Sequence, residues 1–597
     1  MFGLFGKKQK RPKSGSREKA PVGKDHQTIA LDQTIVEEVE LSGGVGMGPE
    51  QSRRKPKNTK LNAWMEALRF ASKWLGLWAL VAVAGLLSHS AWIADETAFL
   101  AVAWEMWTTP EYLVPVFNGQ PYPDIPPLML WLTQLGWLAF GFNNWWPHML
   151  PALFSLGTLL VLSWVARLFW PQQIEVGRYA PLILLGISAW AFYSTLMMTD
   201  MALVFFVTIS LWCLALMGCR GSRVAGLFLG LALGLGALSN GMIVFWIVLP
   251  VALLAPLWVG KGSKVYLGIW YQHIALAMGI GVAILFCWFV PVADARGWPW
   301  VMTWLQHHLI PQPVALFDAA QPRLGYLVFL PMVLFPWSIW PLPWMRLYHL
   351  RSHARDSGLM FSLVLAASVI VLLMSLNVRQ PQLLLPLFPF YALVIAYLML
   401  NDDLKDHGED SIWASMGFPL MAIGGLLAVL PQLPRTELFP EFLWKLNPII
   451  GICVSVIGIA FAWAPSIKLR QRIMSIAVTS IMLVIFSILG AGWLYKDRGD
   501  VSEVTRYLAA VEAGDRPIAH VGRYHGQFHF TGALQKPFSL VSEEEVDAWA
   551  GYYPNGVIIS YTGRWQPIQS VAPTFEATYG DNHVLIWDAS SLIQYIP

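Results

Sequence analysis

Several carboxylates in this chain stand at the ends of long apolar runs. Asp95 and Glu96 follow the first apolar run, Asp124 lies in the proline-rich "YPDIPPL", and Asp200 lies in "MMTDMAL" between two further runs. Carboxylates are costly to bury beside a bilayer, so acids in such places are candidates for taking or orienting an acceptor proton. Helix N-capping is the alternative role. Capping and catalysis are compatible, so both stay open for Asp95 and Asp200.

The composition is that of a membrane protein with several spans. Of 597 residues, 56% are hydrophobic and 13% are charged, and the mean hydropathy is +0.51, whereas about 25% of residues are charged in soluble domains. The 31 tryptophans suit aromatic belts at two interfaces. A net charge of +3 gives no indication of a nucleic-acid partner. The four cysteines lie in or beside apolar runs without C-x-x-C spacing, which predicts buried free thiols.

Apolar runs recur between residues 74 and 494 and predict about thirteen transmembrane helices. Arginine and lysine cluster in alternate loops, which places those loops and the N-terminus in the cytoplasm and the C-terminus in the periplasm. Residues 1–60 are polar and basic, which predicts a disordered cytoplasmic tail. Residues 61–494 are then the transmembrane domain, with a lead-in helix at 61–72 lying on the membrane.

Three segments are predicted to face the periplasm: the loops 94–147 and 294–324 and the tail 495–597. Within the first loop, an apolar helix over 128–142 is too short for a simple span, which indicates a re-entrant or interfacial helix. The tail contains the β-rich runs "PIAHVG", "GVIISYTG" and "HVLIWDA" and helical stretches at 501–513 and 542–550. We therefore predict a small soluble α/β domain over 495–597.

The order of these motifs resembles the GT-C membrane glycosyltransferases, in particular the bacterial branch with the lipid A aminoarabinose transferase and protein O-mannosyltransferase-like enzymes. The resemblance rests on the acidic pair followed by "NGQPYPDIPPLMLW", then "MTDMAL", "VLFPWSIWPLPW" and "QPQLLLPLFPFYALVIA". In the tail, "YHGQFHFTGALQKPFSLV" is similar to a family pattern. The resemblance runs from about residue 74 to 590 and implies a GT-C-like fold.

The resemblance implies a reaction and roles for the acids. Family members take a sugar from a polyprenyl-phosphate donor and pass it, with inversion, to a lipid, glycan or protein acceptor at the periplasmic face. Asp95 matches the catalytic base, with Glu96 beside it, and Asp200 matches a second acid that orients the acceptor or base. Asp124 stands where the family usually has glutamate, in a substrate-binding segment.

The chain departs from the family where cations hold the donor phosphate. Ala98, Ile125 and Asn240 occupy positions where the family has arginine or lysine. An unreplaced loss of one such donor is worth on the order of 10²–10³ in rate. This favours a second hypothesis, in which the chain is a catalytically impaired GT-C-like scaffold subunit of a membrane complex.

Other basic residues could replace the missing cations. Arg379, in "NVRQPQ" at a predicted outer span end, is the first candidate, although a snorkelling interfacial arginine is an equally good explanation. The remaining candidates lie in the loop 294–324: Arg296, His307, His308 and Arg323. Adjacent histidines point to different helix faces, which disfavours one shared metal. A divalent cation held by Asp95 and Asp124 stays open as a further alternative.

Two other functional classes are disfavoured. A transporter would show ionisable residues at mid-span and an internal repeat, and we find neither pattern in the sequence. We also find no Walker A sequence and no G-x-G-x-x-G following a strand, so no nucleotide site is indicated.

Overall fold

The computed structural model describes residues 59–88, 94–260, 266–309, 330–350, 356–375, 381–404, 415–433, 447–463, 468–494, 501–562, 571–579 and 582–593. Apart from its last two residues, the predicted basic tail 1–60 lies outside these ranges. For Asp95 the backbone is described and the side chain is not.

The larger part of the described chain is a helical bundle. Its N-terminal half contains α1 (Thr59–Ser88), α2 (Ala94–Thr108), the hairpin strands β1 (Val116–Phe117) and β2 (Gln120–Pro121), α3 (Pro127–Phe140), α4 (Trp145–Phe169), α5 (Ile174–Leu185), α6 (Ser188–Tyr193), α7 (Asp200–Arg220), α8 (Val224–Asn240), α9 (Ile243–Leu253) and α10 (Ala255–Trp258). Its C-terminal half contains α11 (Leu267–Arg296), α12 (Trp298–Leu309), α13 (Pro341–His349), α14 (Ser357–Ser375), the 3-10 turn Pro381–Leu387 that leads into α15 (Phe388–Leu400), α16 (Gly417–Val429), α17 (Pro448–Trp463) and α18 (Leu469–Leu494).

Within the described ranges, seven helical stretches are long and apolar enough to cross a membrane. They are Ala71–Ser88, Trp145–Phe169, Asp200–Arg220, Leu267–Arg296, Ser357–Met374, Gln382–Leu400 and Leu469–Gly490. Shorter apolar helices, such as α8 and α9, pack among them. The chain is therefore a polytopic helical membrane protein, and the count of about thirteen spans stays a prediction.

Two of the apolar runs that predicted transmembrane helices, residues 179–198 and 241–259, each contain two helices. In the run 179–198, α5 ends at Leu185 and α6 begins at Ser188; Gly186 between them lies so close to Ala477 that a Cβ there would be 3.0 Å from the alanine Cβ. In the run 241–259, α9 ends at Leu253 and α10 starts with a proline in its first turn, which has no N–H to continue the helix. Whether each of these runs crosses the membrane stays a prediction.

Two smaller expectations were also wrong. The lead-in helix predicted at 61–72 is not separate, because α1 runs without a break from Thr59 to Ser88. The four cysteines are free, but only Cys213 is buried. Cys219, Cys287 and Cys453 are exposed on the protein surface, where an apolar helix side chain can face lipid as readily as protein.

The predicted C-terminal α/β domain is present. It contains α19 (Ser502–Ala513), β3 (Ile518–Val521), α20 (His529–Gly532), β4 (Ser539–Val541), α21 (Val546–Tyr552), β5 (Val557–Tyr561), β6 (Phe575–Tyr579), β7 (Asn582–Asp588) and α22 (Ala589–Ile593). The strands form one sheet in the order β4-β3-β5-β7-β6, parallel from β4 to β5 and antiparallel from β5 to β6. Both predicted helices and the three predicted strands are confirmed; β4 and β6 were missed.

Alternating side chains of the central strand β5 enter two hydrophobic cores on opposite faces of the sheet. Val557 and Ile559 pack with α19, for example with Leu508. Ile558 packs on the other face with Trp549 of α21 and Trp587 of β7. Because both faces are covered by helices, the domain has a core of its own and can hold its surface loops in a fixed place.

The predicted outer loop 94–147 is a compact unit on which the C-terminal domain rests. Asn118 and Gly119 both have positive φ, at 53° and 77°, as a type I′ hairpin turn requires. The carboxylate of Glu105 in α2 accepts the Gly119 N–H at 2.8 Å, which ties the hairpin to that helix. Burial raises the pKa of Glu105, and the N–H groups of Gly119 and Asn118 oppose that shift.

The helix predicted at 128–142 is present as α3, and it is two-faced. Met129, Leu130 and Trp137 are buried against α2, whereas Leu135 and Leu138 are exposed. An outward apolar face is what an interfacial helix presents to a bilayer. Its membrane location stays a prediction.

Candidate active site

Asp200 is the first residue of α7, and the side-chain amide of Asn240 faces it. Asn240, the last residue of α8, donates from Nδ2 to the Thr199 hydroxyl at 2.9 Å and approaches the Asp200 carboxylate at 3.5 Å. Asp200 is only 8% exposed. The carboxylate therefore lies beside the Asn240 amide at a helix N-terminus, where the helix dipole favours negative charge.

Glu96 lies in the first turn of α2 and is buried, with 2% of its surface exposed. Its Oε1 accepts the backbone N–H of Met197 at 2.7 Å. Met197 lies three residues before Asp200, so this bond fixes the start of α2 beside the turn that carries the second acid. The backbone of Asp95, one residue earlier, is thereby placed at the same end of the bundle.

Asp124 and His307 form a pair across the two predicted outer loops. The His307 Nδ1–H donates to the Asp124 carboxylate at 2.8 Å, and both side chains are about half exposed. A carboxylate on Nδ1 fixes the imidazole tautomer and leaves Nε2 directed elsewhere. Among the described residues, no hydrogen bond engages that Nε2.

His308, the next residue, joins this pair to the Asn240 turn. Its ring stacks on Trp304 at 4.2 Å between centroids, and its backbone carbonyl accepts the Met242 N–H at 3.1 Å. Gly241, with φ of 73°, lies so close that a Cβ would be 2.7 Å from the His308 ring. Burial lowers the pKa of His308, so the ring is neutral at pH 7 and acts as a hydrogen-bonding group.

The structure therefore brings five of the predicted site residues to one end of the bundle in two linked groups: Glu96, Asp200, Asp124, His307 and His308. Glu96 and Asp200 meet through the Met197 turn, and Asp124 and His307 connect to Asn240 through His308. The remaining predicted site groups, Arg323, Arg379 and the Asp95 side chain, lie outside the described residues. Arg296 already forms an ion pair, because its Nη2 donates to both carboxylate oxygens of Glu111 at 2.8 Å.

Among the residues that the structure describes, no three His, Cys, Asp or Glu side chains gather closely enough to hold a metal ion. Asp124, one of the two residues considered for a divalent cation, already pairs with His307. The other is Asp95, whose side chain is not described.

Sequence reasoning missed the polar groups that hold these acids. Thr199 precedes Asp200 and could have been recognised as a hydroxyl beside an acid. Thr97 donates to the carbonyl of His525 at 2.7 Å, a contact across 428 residues that no local pattern could reveal. The turn position of Asn118 could have been predicted, because "NG" is a strong hairpin signal. Its contact with the C-terminal domain could not.

The fold can be compared with solved structures. ArnT from Cupriavidus metallidurans in the apo state superposes with a TM-score of 0.68, covering 87% of this chain and 99% of that one at 17% identity. The same protein bound to undecaprenyl phosphate gives a TM-score of 0.67 at 16% identity, covering 88% and 98%. The chain is thus a membrane protein of the GT-C fold.

Sequence comparison identifies more particular relatives. The chain is 26% identical over 340 residues to undecaprenyl phosphate-alpha-4-amino-4-deoxy-L-arabinose arabinosyl transferase 2 of Pseudomonas fluorescens, covering 55% of this chain and 59% of the relative. It is 24% identical over 343 residues to the corresponding transferase of Erwinia tasmaniensis, covering 56% and 60%. No family model matches. The chain spans about three-fifths of the length of these relatives and is a divergent homologue of them.

Proposed function

We propose that this chain is a membrane glycosyltransferase that moves a sugar from a polyprenyl-phosphate donor to a lipid, glycan or protein acceptor. Its relatives are named for undecaprenyl-phosphate-dependent transfer, and one solved structure of its fold holds undecaprenyl phosphate. The enzyme would lie in the bacterial inner membrane with its N-terminus cytoplasmic. The acid-bearing end and the C-terminal domain would then face the periplasm, as the loop charges predict.

The observation that carries this proposal is the hydrogen bond between Glu96 and Met197. It joins the acidic pair after α1 to the turn that begins α7, although the two are about a hundred residues apart. Carboxylates that would be costly to bury are thus gathered at one end of an apolar bundle. Gathering of this kind favours a site over two independent helix caps.

In the proposed reaction the acceptor oxygen attacks the anomeric carbon as the bond from that carbon to the phosphate oxygen breaks. The acceptor proton passes to Asp95, and the polyprenyl phosphate leaves with the bonding electron pair. Asp200 and Glu96 hold the base and the acceptor in place. Attack from the face opposite the leaving group inverts the configuration.

The leaving phosphate needs donors more than it needs an acid, since phosphate is already a good leaving group. The two histidines lie beside two of the positions where the family's cations are missing. His307 contacts Asp124, the neighbour of Ile125, and His308 packs on Gly241, the neighbour of Asn240. We assign donor binding to Asp124, His307 and His308, together with Arg379 and Arg323.

The test is turnover of radiolabelled undecaprenyl-phosphate sugars by the purified protein reconstituted in vesicles. Asp95→Asn and Asp200→Asn keep the side-chain shape and remove the charge, so each should lower kcat by at least about a hundredfold. Glu503→Gln, an exposed acid in α19, is the matched control and should retain full activity. Full turnover in Asp95→Asn would show that the base is assigned wrongly.

The scaffold hypothesis remains the second candidate because Ala98, Ile125 and Asn240 remove charge from the donor site. It predicts that the wild-type protein neither consumes nor binds the labelled donor. Saturable donor binding together with sugar release excludes it.

A further inference from the structure

The surface loop of the C-terminal domain between residues 523 and 538, here called the docking loop, lies directly on α2. The Thr97 hydroxyl of α2 donates to the His525 carbonyl at 2.7 Å. Gly526, with φ of 81°, sits against the helix so closely that a Cβ would be 2.7 Å from the Ala101 Cβ and 2.9 Å from the Thr97 carbonyl. Only glycine fits this position, because both the φ value and the contact exclude a side chain.

The far end of the docking loop makes a second set of contacts. The side-chain amide of Asn118 pairs with the backbone of Phe538 in both directions, accepting its N–H at 2.7 Å and donating to its carbonyl at 2.9 Å. The indole N–H of Trp104 in α2 donates to the Leu534 carbonyl at 2.7 Å. The loop is thus fixed to α2 and its hairpin at three points.

Aromatic rings extend the same interface. Phe117 of the hairpin stacks on Tyr524 at 5.8 Å, and Trp137 of α3 stacks on Phe530 at 6.0 Å between centroids. The contact surface therefore reaches from the first turn of α2 to α3.

A buried hydrogen-bond network makes the docking loop rigid. The Tyr524 hydroxyl donates to Nδ1 of His529 at 2.6 Å and accepts the Phe528 N–H at 3.2 Å. His529 donates from Nε2 to the Lys536 carbonyl at 3.1 Å. The two side chains are 4% and 6% exposed. A loop held in this way from inside can transmit position to the helix it contacts.

The first turn of α2 is consequently held on two sides by adjacent residues. Glu96 binds the turn before α7 within the bundle, and Thr97 binds the C-terminal domain. Removing one contact leaves the helix attached through the other, and its first turn can then shift relative to Asp200.

We infer that the docking loop positions the acid pair of α2 relative to Asp200, so that the C-terminal domain completes the site and Thr97 is a positioning residue. This role rests on the proposed glycosyl transfer. It adds a structural requirement: the C-terminal domain has to contact α2 for Asp95 and Glu96 to be correctly placed relative to Asp200.

The experiment compares Thr97→Val with Thr97→Ser in the full-length protein. Valine keeps the branched shape and removes the donor to His525; serine keeps the donor. We expect Thr97→Val to lower kcat about ten- to a hundredfold, as small displacements of catalytic groups do. The donor KM should stay within about twofold, because the residues proposed to bind the donor phosphate are unchanged. Thr97→Ser should recover most of the rate. Asn118→Gly, which keeps the left-handed turn and loses the amide, tests the second contact without relying on Thr97.

Hydrogen–deuterium exchange at residues 94–101 separates this inference from the proposed function. Faster exchange there in Thr97→Val and Asn118→Gly, with wild-type rates in α7, supports positioning even if the wild-type protein transfers no sugar. Unchanged exchange in both variants overturns it. A kcat in Thr97→Val equal to that of the wild type overturns it as well.

Discussion

The Glu96 carboxylate accepts the Met197 N–H at 2.7 Å in a place where almost no solvent reaches either group. This bond connects the helix after the first span with the turn before Asp200. Since a buried acceptor without its donor is expensive, the two segments are held together for energetic reasons whatever their chemistry.

Replacing Glu96 should separate its structural contribution from any catalytic one. Glu96→Gln keeps an oxygen that can accept the Met197 N–H, so the free energy of unfolding should change little. Glu96→Ala leaves that N–H unsatisfied and should cost about 1–3 kcal/mol. Thermal unfolding of both variants in detergent measures the difference. Equal stabilities would mean that the bond contributes nothing to the fold.

Gly241 and Gly141 form a matched pair for testing the His308 contact. Both end a helix with φ near 75°, but a Cβ would strike the His308 ring at Gly241 and would meet nothing within 4 Å at Gly141. Both alanine variants carry backbone strain of about 1–3 kcal/mol, because positive φ with ψ of 165° or −164° is a region that essentially only glycine adopts. Gly241→Ala should additionally displace His308 and weaken donor binding, measured as donor KM. If Gly141→Ala weakens binding as much, the His308 contact is irrelevant to the donor.

Arg296→Ala should leave donor affinity unchanged. The guanidinium is already paired with Glu111, and an exposed ion pair of this kind contributes at most about 1 kcal/mol to stability. Donor titration and thermal unfolding check the two parts. A clear loss of donor affinity would show that Arg296 leaves Glu111 to bind the phosphate.

The C-terminal domain should lose stability as the pH falls from about 6.5 towards 4. Burial lowers the pKa of His529 from 6.5 to about 4. Between these values the unfolded chain binds the proton and the folded domain does not, so stability decreases on acidification, by about 3 kcal/mol in total. Above pH 6.5 both states are neutral and this contribution is constant.

His529→Gln is the comparison for this pH effect, because it keeps an amide donor and does not titrate. Its stability should be lower at pH 7 and vary less between pH 6.5 and 4. Exchange rates in β3 and β5 across this pH range give the measurement. Parallel pH profiles for the two proteins would assign the acid sensitivity to other groups.

Much of the fold follows from local sequence patterns. Runs of apolar residues predicted the long helices, and the short β-rich runs "PIAHVG", "GVIISYTG" and "HVLIWDA" predicted β3, β5 and β7. The edge strands β4 and β6 carry weaker patterns, because an edge position leaves part of each strand exposed. The helix break after Leu185 lies at a close packing contact of Gly186, and the break after Leu253 precedes a proline. Counting apolar residues detects neither feature.

The candidate site was predictable in its residue types and not in its partners. Asp124, Asp200 and the histidines stand out as polar groups at the ends of apolar runs. Contacts in and around the site join segments up to several hundred residues apart, such as Asp124 with His307 and Thr97 with His525. No local pattern encodes such distances. The ion pair of Arg296 with Glu111 could not be predicted from the sequence either, although it decides whether this arginine can bind the donor.

The contact between Gly526 and Ala101 sets an order of events during synthesis. A ribosome has made more than four hundred residues after α2 before the docking loop exists. The helix bundle can therefore insert while the first turn of α2 still lacks its second support. If the docking loop positions the acids as we infer, the site is complete only after this loop has been made, and a product truncated ahead of residue 523 should insert without completing it.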